Sequence, residues 1–296
     1  MHRRPQTPLI ARSTQLDAIE RLAARSRDGA AFVLVTAPAG FGKTALIESA
    51  VSRLEGHEIV RVHADSYESD VSFAAAEALA ARLGARWPAA REGGAPDPID
   101  VGRAILDAAD AQRTPLCIVL DDAQWIDAAS AQAFRFVLRR LDAQPILIVV
   151  GTRAGADPIT TAFPRLSETD PLSTLTLDLP AFTTDDTQEL AIAVLGRTVS
   201  RRAAERLTTA SGGSPLLISS TIASATTEVD GPHPGVDDLV FPGDPSLDRR
   251  VSLALERAER AARDTAVLVA VLRDATPLAR VHAVAERCSL TLDLDG

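Results

Sequence analysis

The sequence predicts an α/β fold: a mostly parallel five-stranded sheet covered by helices on both faces, then a small helical lid and the start of another helical module. Three observations predict it. Short apolar runs alternate with amphipathic helical stretches from Ala31 to Leu177, the pattern of strands buried on both faces and joined by crossover helices. A glycine-bearing loop, Ala37-Pro38-Ala39-Gly40-Phe41-Gly42-Lys43-Thr44, joins the first apolar run to a helix. Another run, Leu116 to Leu120, ends in Asp121-Asp122. Right-handed crossovers bring such strand ends to one edge, where ligands of parallel sheets gather.

In chain order, residues 1–8 read as a flexible tail, and an amphipathic helix follows over Ser13 to Arg25, with Ser13 or Thr14 as its cap. Strand Ala31 to Thr36 is bounded by Gly29 and Pro38, and the next helix runs from Lys43 to about Leu54. Glu58 to His63 reads as a strand, Val71 to Leu83 as a helix, and Gly84 to Pro98 as a loop rich in breakers. A helix over Ile99 to Ala111 leads to the strand that ends in the two acids. Ser130 to Arg140 is helical, Pro145 to Val150 is a buried strand closing with Gly151-Thr152-Arg153, and Leu175 to Leu177 is a weaker strand. Beyond Thr183 no strand pattern recurs. Helices are expected over Thr184 to Leu195, Ser200 to Ala210 and Leu216 to Ala225. The domain reading is therefore 9–182 for the α/β part, 183–226 for the lid, 227–246 for a Gly/Pro-rich linker and 247–296 for an incomplete helical module.

The loop reads as a phosphate cradle. Its backbone N–H groups and those at the start of the next helix, Ala45 included, converge on one concavity. Lys43 would reach the β and γ phosphates, and Thr44 would bind Mg²⁺. Of 31 Lys and Arg residues, Lys43 is the one lysine. The planar Arg fork cannot replace a compact ammonium inside a tight loop, so a lysine is retained where it alone serves. Together these features point to a P-loop NTPase fold, against the competing reading of a glycine-rich strand-to-helix turn with an incidental lysine.

Asp121, next to Ile118 and Leu120, needs a cation or partner to offset its burial. In a P-loop protein it would hold Mg²⁺, while Asp122 would polarise the water attacking the γ phosphate. The competing reading makes both acids the start of a solvated loop that caps the next helix. Arg153 is placed to sense the γ phosphate, against the competing reading of a surface Arg paired with Asp157. Trp125 reads as a packing residue, and His57, His63, His233 and His282 show no metal-ligand spacing.

The net charge of -9 and pI near 5.1 give no basic field for sequence-blind binding to nucleic acid or anionic membrane. Cys117 and Cys288 are too few for a disulfide framework, and no apolar run reaches the length of a membrane span. A cytoplasmic setting without membrane contact is expected.

Four segments, taken together, resemble the STAND-class AAA-type ATPase domain of large ATP-binding LuxR-type transcriptional regulators. They are Ala37 to Thr44, Val119-Leu120-Asp121-Asp122-Ala123-Gln124-Trp125-Ile126-Asp127, Gly151-Thr152-Arg153 and Gly212-Gly213-Ser214-Pro215-Leu216-Leu217. Leu9-Ile10-Ala11-Arg12 is similar to that family's entry box, with Ala11 where the family has Gly. The resemblance covers roughly residues 9 to 290. It implies an ATP/ADP switch with slow Mg-dependent hydrolysis, Arg12 at the nucleotide, and a lid whose Pro215 touches adenine. It also implies self-association in the ATP state and a winged-helix-like character for residues 247–296. Read without the resemblance, Gly212 to Pro215 is ordinary helix punctuation. Ala37 replaces the first loop glycine, and Gln124 stands where His is common. The family's helical-repeat sensor and LuxR-type helix-turn-helix do not occur in these 296 residues, so DNA binding is not assigned to the chain. Two other functions stay open: a P-loop kinase passing phosphate to a small acceptor, and a degenerate nucleotide-binding scaffold.

Overall fold

A computed structural model describes residues 9–90, 94–153 and 173–227. The expected tail at 1–8, the linker at 227–246 (residue 227 aside) and the module at 247–296 lie outside the described residues, as do Asp157, His233, His282 and Cys288. The chain divides into two compact units, Met1–Ser219 and Ser220–Gly296. Of the second, only the C-terminal part of one helix is described.

The elements follow in order as α1 (Ser13–Arg25), β1 (Ala31–Thr36), α2 (Lys43–Val51), β2 (Glu58–His63), α3 (Ala74–Leu83), α4 (Pro98–Asp110), β3 (Leu116–Asp121), α5 (Ala128–Leu138), β4 (Ile146–Thr152), β5 (Ser173–Asp178), α6 (Thr184–Leu195), α7 (Arg201–Ser211) and α8 (Pro215–Thr227). The strands form one five-stranded sheet in the order β2-β3-β4-β1-β5, and every pairing is parallel. β4 therefore lies between the loop-bearing β1 and the acid-terminated β3.

Side chains alternate across each strand and build a core on both faces of the sheet. Phe32, Ile118, Leu120, Ile146, Ile148 and Val150 pack with α3, α4 and α5 through Leu79, Ile105 and Phe134. Val33, Val35, Cys117, Val119, Leu147 and Val149 face α1 and α2 through Leu16, Ile19, Leu46 and Ile47. Burial on both sides is why β1, β3 and β4 read as unbroken apolar runs rather than alternating ones.

Several boundaries differ from expectation. α1 begins after Arg12 without a side-chain cap, so neither Ser13 nor Thr14 caps it. α2 stops at Val51, three residues short of Leu54. α3 starts at Ala74 rather than Val71 because Phe73 turns to φ 68. The incoming N–H groups of Phe73 and Ala76 are held from α5, by Asp127 Oδ1 at 2.8 Å and Ser130 Oγ at 2.9 Å. α4 gains Pro98 at its first turn, capped by Asp97 through Ile99 N–H at 2.8 Å. α5 starts at Ala128 because Asp127 caps it through Ser130 N–H at 2.9 Å. β5 is longer than Leu175 to Leu177 because it pairs along its whole length with β1. Beyond the sheet, Thr183 and Asp186 form a reciprocal capping box that starts α6, and α6 packs on α7 with Thr187 and Thr208 hydroxyls 2.8 Å apart. Among the described residues no helix is long and apolar enough to cross a membrane.

Candidate functional site: a phosphate-binding loop at the strand ends

The loop leaves β1 with Gly40 at φ 80 and Gly42 at φ 89, both left-handed conformations that a side chain would strain. Gly42 is the turn that lets α2 begin at Lys43. Lys43 is 7% exposed, and its Nζ donates to Ala37 O at 2.8 Å and Pro38 O at 3.1 Å, so the ammonium is wrapped by its own loop. Burial lowers its pKa from the ordinary lysine value; Asp122 and Asp121 oppose that shift and Arg153 adds to it. Asp121, Asp122 and Arg153 thus all lie close enough to act on the Lys43 ammonium.

Thr44 Oγ1 donates to Asp121 Oδ2 at 2.8 Å, tying the start of α2 to the end of β3. The other oxygen of Asp121 accepts Asp122 N–H at 3.0 Å. A hydroxyl and a carboxylate meeting beside the loop are hard oxygen donors, and they fit a cation such as Mg²⁺. Gly151 makes room for this arrangement. A Cβ there would lie 2.6 Å from Asp121 Oδ1 and 2.8 Å from Ile47 Cδ1.

Asp122 does not cap the next helix. It takes φ 51 and makes no side-chain cap, and the capping role falls to Asp127. Instead Asp122 Oδ1 accepts from Gln124 Nε2 at 2.9 Å, and Oδ2 lies 3.7 Å from His63 Nε2 at the end of β2. His63, set aside on sequence spacing, comes together with Asp121 and Asp122, their ligand atoms within 4.8 Å of one another. At the exit of β4, Arg153 N–H donates to Gln124 Oε1 at 3.1 Å. The Arg153 guanidinium lies 5.5 Å from the centroid of the Trp125 ring, so Trp125 carries a cation as well as packing on the core. Neighbouring Thr152 has a buried hydroxyl without a hydrogen-bond partner among the described residues.

The start of α8 meets the loop. Leu216 N–H donates to Gly40 O at 3.1 Å, and Ser214 Oγ donates to the same carbonyl at 3.2 Å. A Cβ on Gly40 would lie 2.8 Å from Ser214 Oγ. Pro215 sits between these two donors, half-buried. Gly213, at φ 70, brings its backbone against Ala181 and Phe182, and Phe182 N–H donates to Gly213 O at 2.9 Å. Arg12 is buried on the same side. Its guanidinium donates to Pro180 O at 2.7 Å and lies 5.0 Å from the centroid of the Phe182 ring. Ala11, in the entry box, takes φ 54.

The structure therefore gathers Lys43, Thr44, Asp121, Asp122 and Arg153 at one edge, with Pro215 beside the loop. Arg12 is anchored to the segment that leads into α6. Sequence reasoning did not find the roles of Gly151, His63 or the Gln124 bridge. For Gln124 the one available signal was its place two residues after Asp122, where the resemblance has His.

Comparison with known proteins agrees with this geometry. Residues 8–149 match the family described as AAA ATPase domain. Among curated proteins the chain has no match. Among solved structures it is similar to the Aeropyrum pernix Orc1 protein in complex with DNA, with TM-score 0.60 and 14% identity over 98% of this chain and 81% of that one. It is also similar to a Thermotoga maritima RuvB variant, with TM-score 0.52 and 17% identity over 97% and 86%. A Pyrococcus horikoshii STAND protein with a tetratricopeptide repeat sensor gives TM-score 0.46 at 16% identity, over 95% of this chain and 38% of that one. The parallel sheet with its flanking helices is the P-loop NTPase fold, and residues 8–149 of this chain match an AAA ATPase domain.

Proposed function

We propose that the chain is an ATP/ADP-binding switch with slow Mg-dependent hydrolysis, acting within a LuxR-type transcriptional regulator. In this reading the N–H groups of residues 37–45 cradle the phosphates, and Lys43 exchanges Ala37 O and Pro38 O for β- and γ-phosphate oxygens. Thr44 and Asp121 would hold Mg²⁺, which when bound offsets charge between the β and γ phosphates. Asp122 orients and polarises the attacking water, and Arg153 answers to the γ phosphate. Arg12 and Pro215 line the nucleoside end.

The observation that carries a switch is the pair of hydrogen bonds from Leu216 N–H and Ser214 Oγ to Gly40 O. The helical segment is bonded to the loop itself, so a ligand that reshapes the loop biases the position of α8. The LuxR context rests on the motif resemblance, and self-association in the ATP state follows from the same reading.

The test is nucleotide binding by calorimetry with and without Mg²⁺, on the parent and Lys43→Ala. The parent should bind both nucleotides, and Lys43→Ala should lose ATP affinity by 100-fold or more, the order expected when a charge-assisted contact to phosphate is removed. Equal ATP affinity in the two proteins would refute the assignment. ATP turnover without an added acceptor separates the switch from a kinase. Sedimentation with ATP against ADP tests the self-association.

A further inference from the structure

We propose that Gln124 is the positioning residue of the γ-phosphate end of the site, joining the orientation of Asp122 to the backbone at Arg153. The inference rests on the nucleotide-binding reading above and deepens it. Gln124 Nε2 donates to Asp122 Oδ1 at 2.9 Å, and Gln124 Oε1 accepts Arg153 N–H at 3.1 Å. The direction of the amide is fixed by its partners: a backbone N–H only donates and a carboxylate accepts, so the flipped amide would lose both bonds. The bridge spans two strand ends, the exit of β3 and the exit of β4.

Asp122 needs such a support. It holds φ 51, a left-handed conformation that is uncommon outside glycine and that Asp adopts more readily than most residues, so the backbone alone does not orient its carboxylate. Its backbone carbonyl accepts Trp125 N–H at 3.0 Å, which fixes the main chain but leaves the carboxylate to be oriented. His63 Nε2, at 3.7 Å from Oδ2, is beyond hydrogen-bond distance. Gln124 is thus the side chain that bonds the Asp122 carboxylate among the described residues. The same amide sets where the main chain places Arg153, whose guanidinium lies at Trp125. A γ phosphate that draws Arg153 toward it pulls on the bridge, and the carboxylate that would orient water responds. Loss of the bridge therefore acts on turnover and on discrimination between ATP and ADP, and leaves ADP binding alone.

The experiment compares Gln124→Leu, similar in size but unable to bridge, with the parent. Affinities for Mg-ATP and Mg-ADP are measured by fluorescent-nucleotide displacement, together with kcat and KM. The expected result is ADP affinity within about twofold of the parent, an ATP-to-ADP affinity ratio reduced about fivefold, and kcat reduced at least about tenfold at similar KM. A residue with a merely structural role would lower ADP affinity and thermal stability together and leave the ratio unchanged, which overturns the proposal. Gln124→Glu, which keeps the shape and loses the donor, is read in the same way should Gln124→Leu fold poorly. Where turnover is too slow to follow, the affinity ratio decides. A parent that binds neither nucleotide overturns the reading of the site and this inference with it. A parent that binds both, with variants that match it in ratio and kcat, overturns the inference alone.

Discussion

Replacing Gly151 by Ala tests the close fit at the centre of the site. The new Cβ would meet Asp121 Oδ1 at 2.6 Å and Ile47 Cδ1 at 2.8 Å, against the 3.4 Å at which ordinary contact begins. Gly151 lies within β4, between β1 and β3, so the main chain cannot retreat without breaking ladder bonds on one side. The side chains must move instead, Asp121 by about 0.8 Å, enough to lose the 2.8 Å bond from Thr44. Overpacking of this kind costs about 1–3 kcal/mol. The lost bond to a carboxylate adds about 1 kcal/mol, at the low end because exposed Thr44 regains water. Urea unfolding should therefore show about 2–4 kcal/mol of destabilisation. On the proposed reading of Asp121 as a Mg²⁺ ligand, calorimetry should show Mg-ATP binding weakened about 10- to 100-fold and nucleotide binding in excess chelator unchanged within about twofold. A variant with the parent's unfolding midpoint and Mg-ATP affinity would refute the claim that Gly151 clears space for Asp121.

Three further outcomes follow from the structure. Ala11→Gly relieves a φ of 54 that costs an alanine about 1–2 kcal/mol and should stabilise the chain by about 0.5–1 kcal/mol after the greater backbone entropy of glycine is counted; an unchanged urea midpoint would show that Ala11 is unstrained. Asp127→Ala removes the acceptor for Phe73 and Ser130 N–H groups and should cost about 2–5 kcal/mol in unfolding; a loss below about 1 kcal/mol would show that water replaces the carboxylate. Burial raises the Cys117 thiol from 9.0 to about 12, so the unfolded chain releases its proton first, and the stability this group supports is complete below pH 9 and declines as pH rises toward 12. Unfolding of the parent against Cys117→Ala over that range measures the decline, and parallel curves would refute it.

The parts of the site that the sequence made legible are local in the chain. Lys43 and Thr44 come straight after the glycine-bearing turn, and Asp121 ends its own strand, so spacing alone announces them. The sheet was legible for a related reason: β1, β3 and β4 are covered on both faces and cannot be mistaken for amphipathic helices of comparable length. Contacts between distant segments were not legible. Asp127 and Ser130 decide where α3 begins from more than fifty residues away, so periodicity extended that helix back to Val71. Gln124 looked like a departure from a motif because its second partner, Arg153, lies 29 residues further on. Gly151 seemed to do no more than close a strand, since the carboxylate and the isoleucine it accommodates belong to β3 and α2. Ala11 lies between these cases: the resemblance expects glycine there, and the backbone holds the conformation glycine would favour.

The ammonium of Lys43 is clasped by Ala37 O and Pro38 O, and the chain contains no other lysine. Its reactivity is therefore a chemical gauge of the loop. An amine-acylating reagent has one side-chain target in 296 residues, and the amino terminus is separated from it by a peptide map. Each acylated molecule marks a moment when the loop opened its clasp on that amine. The rate at which the peptide carrying Lys43 gains mass, with and without nucleotide, would record loop opening in the unmutated protein.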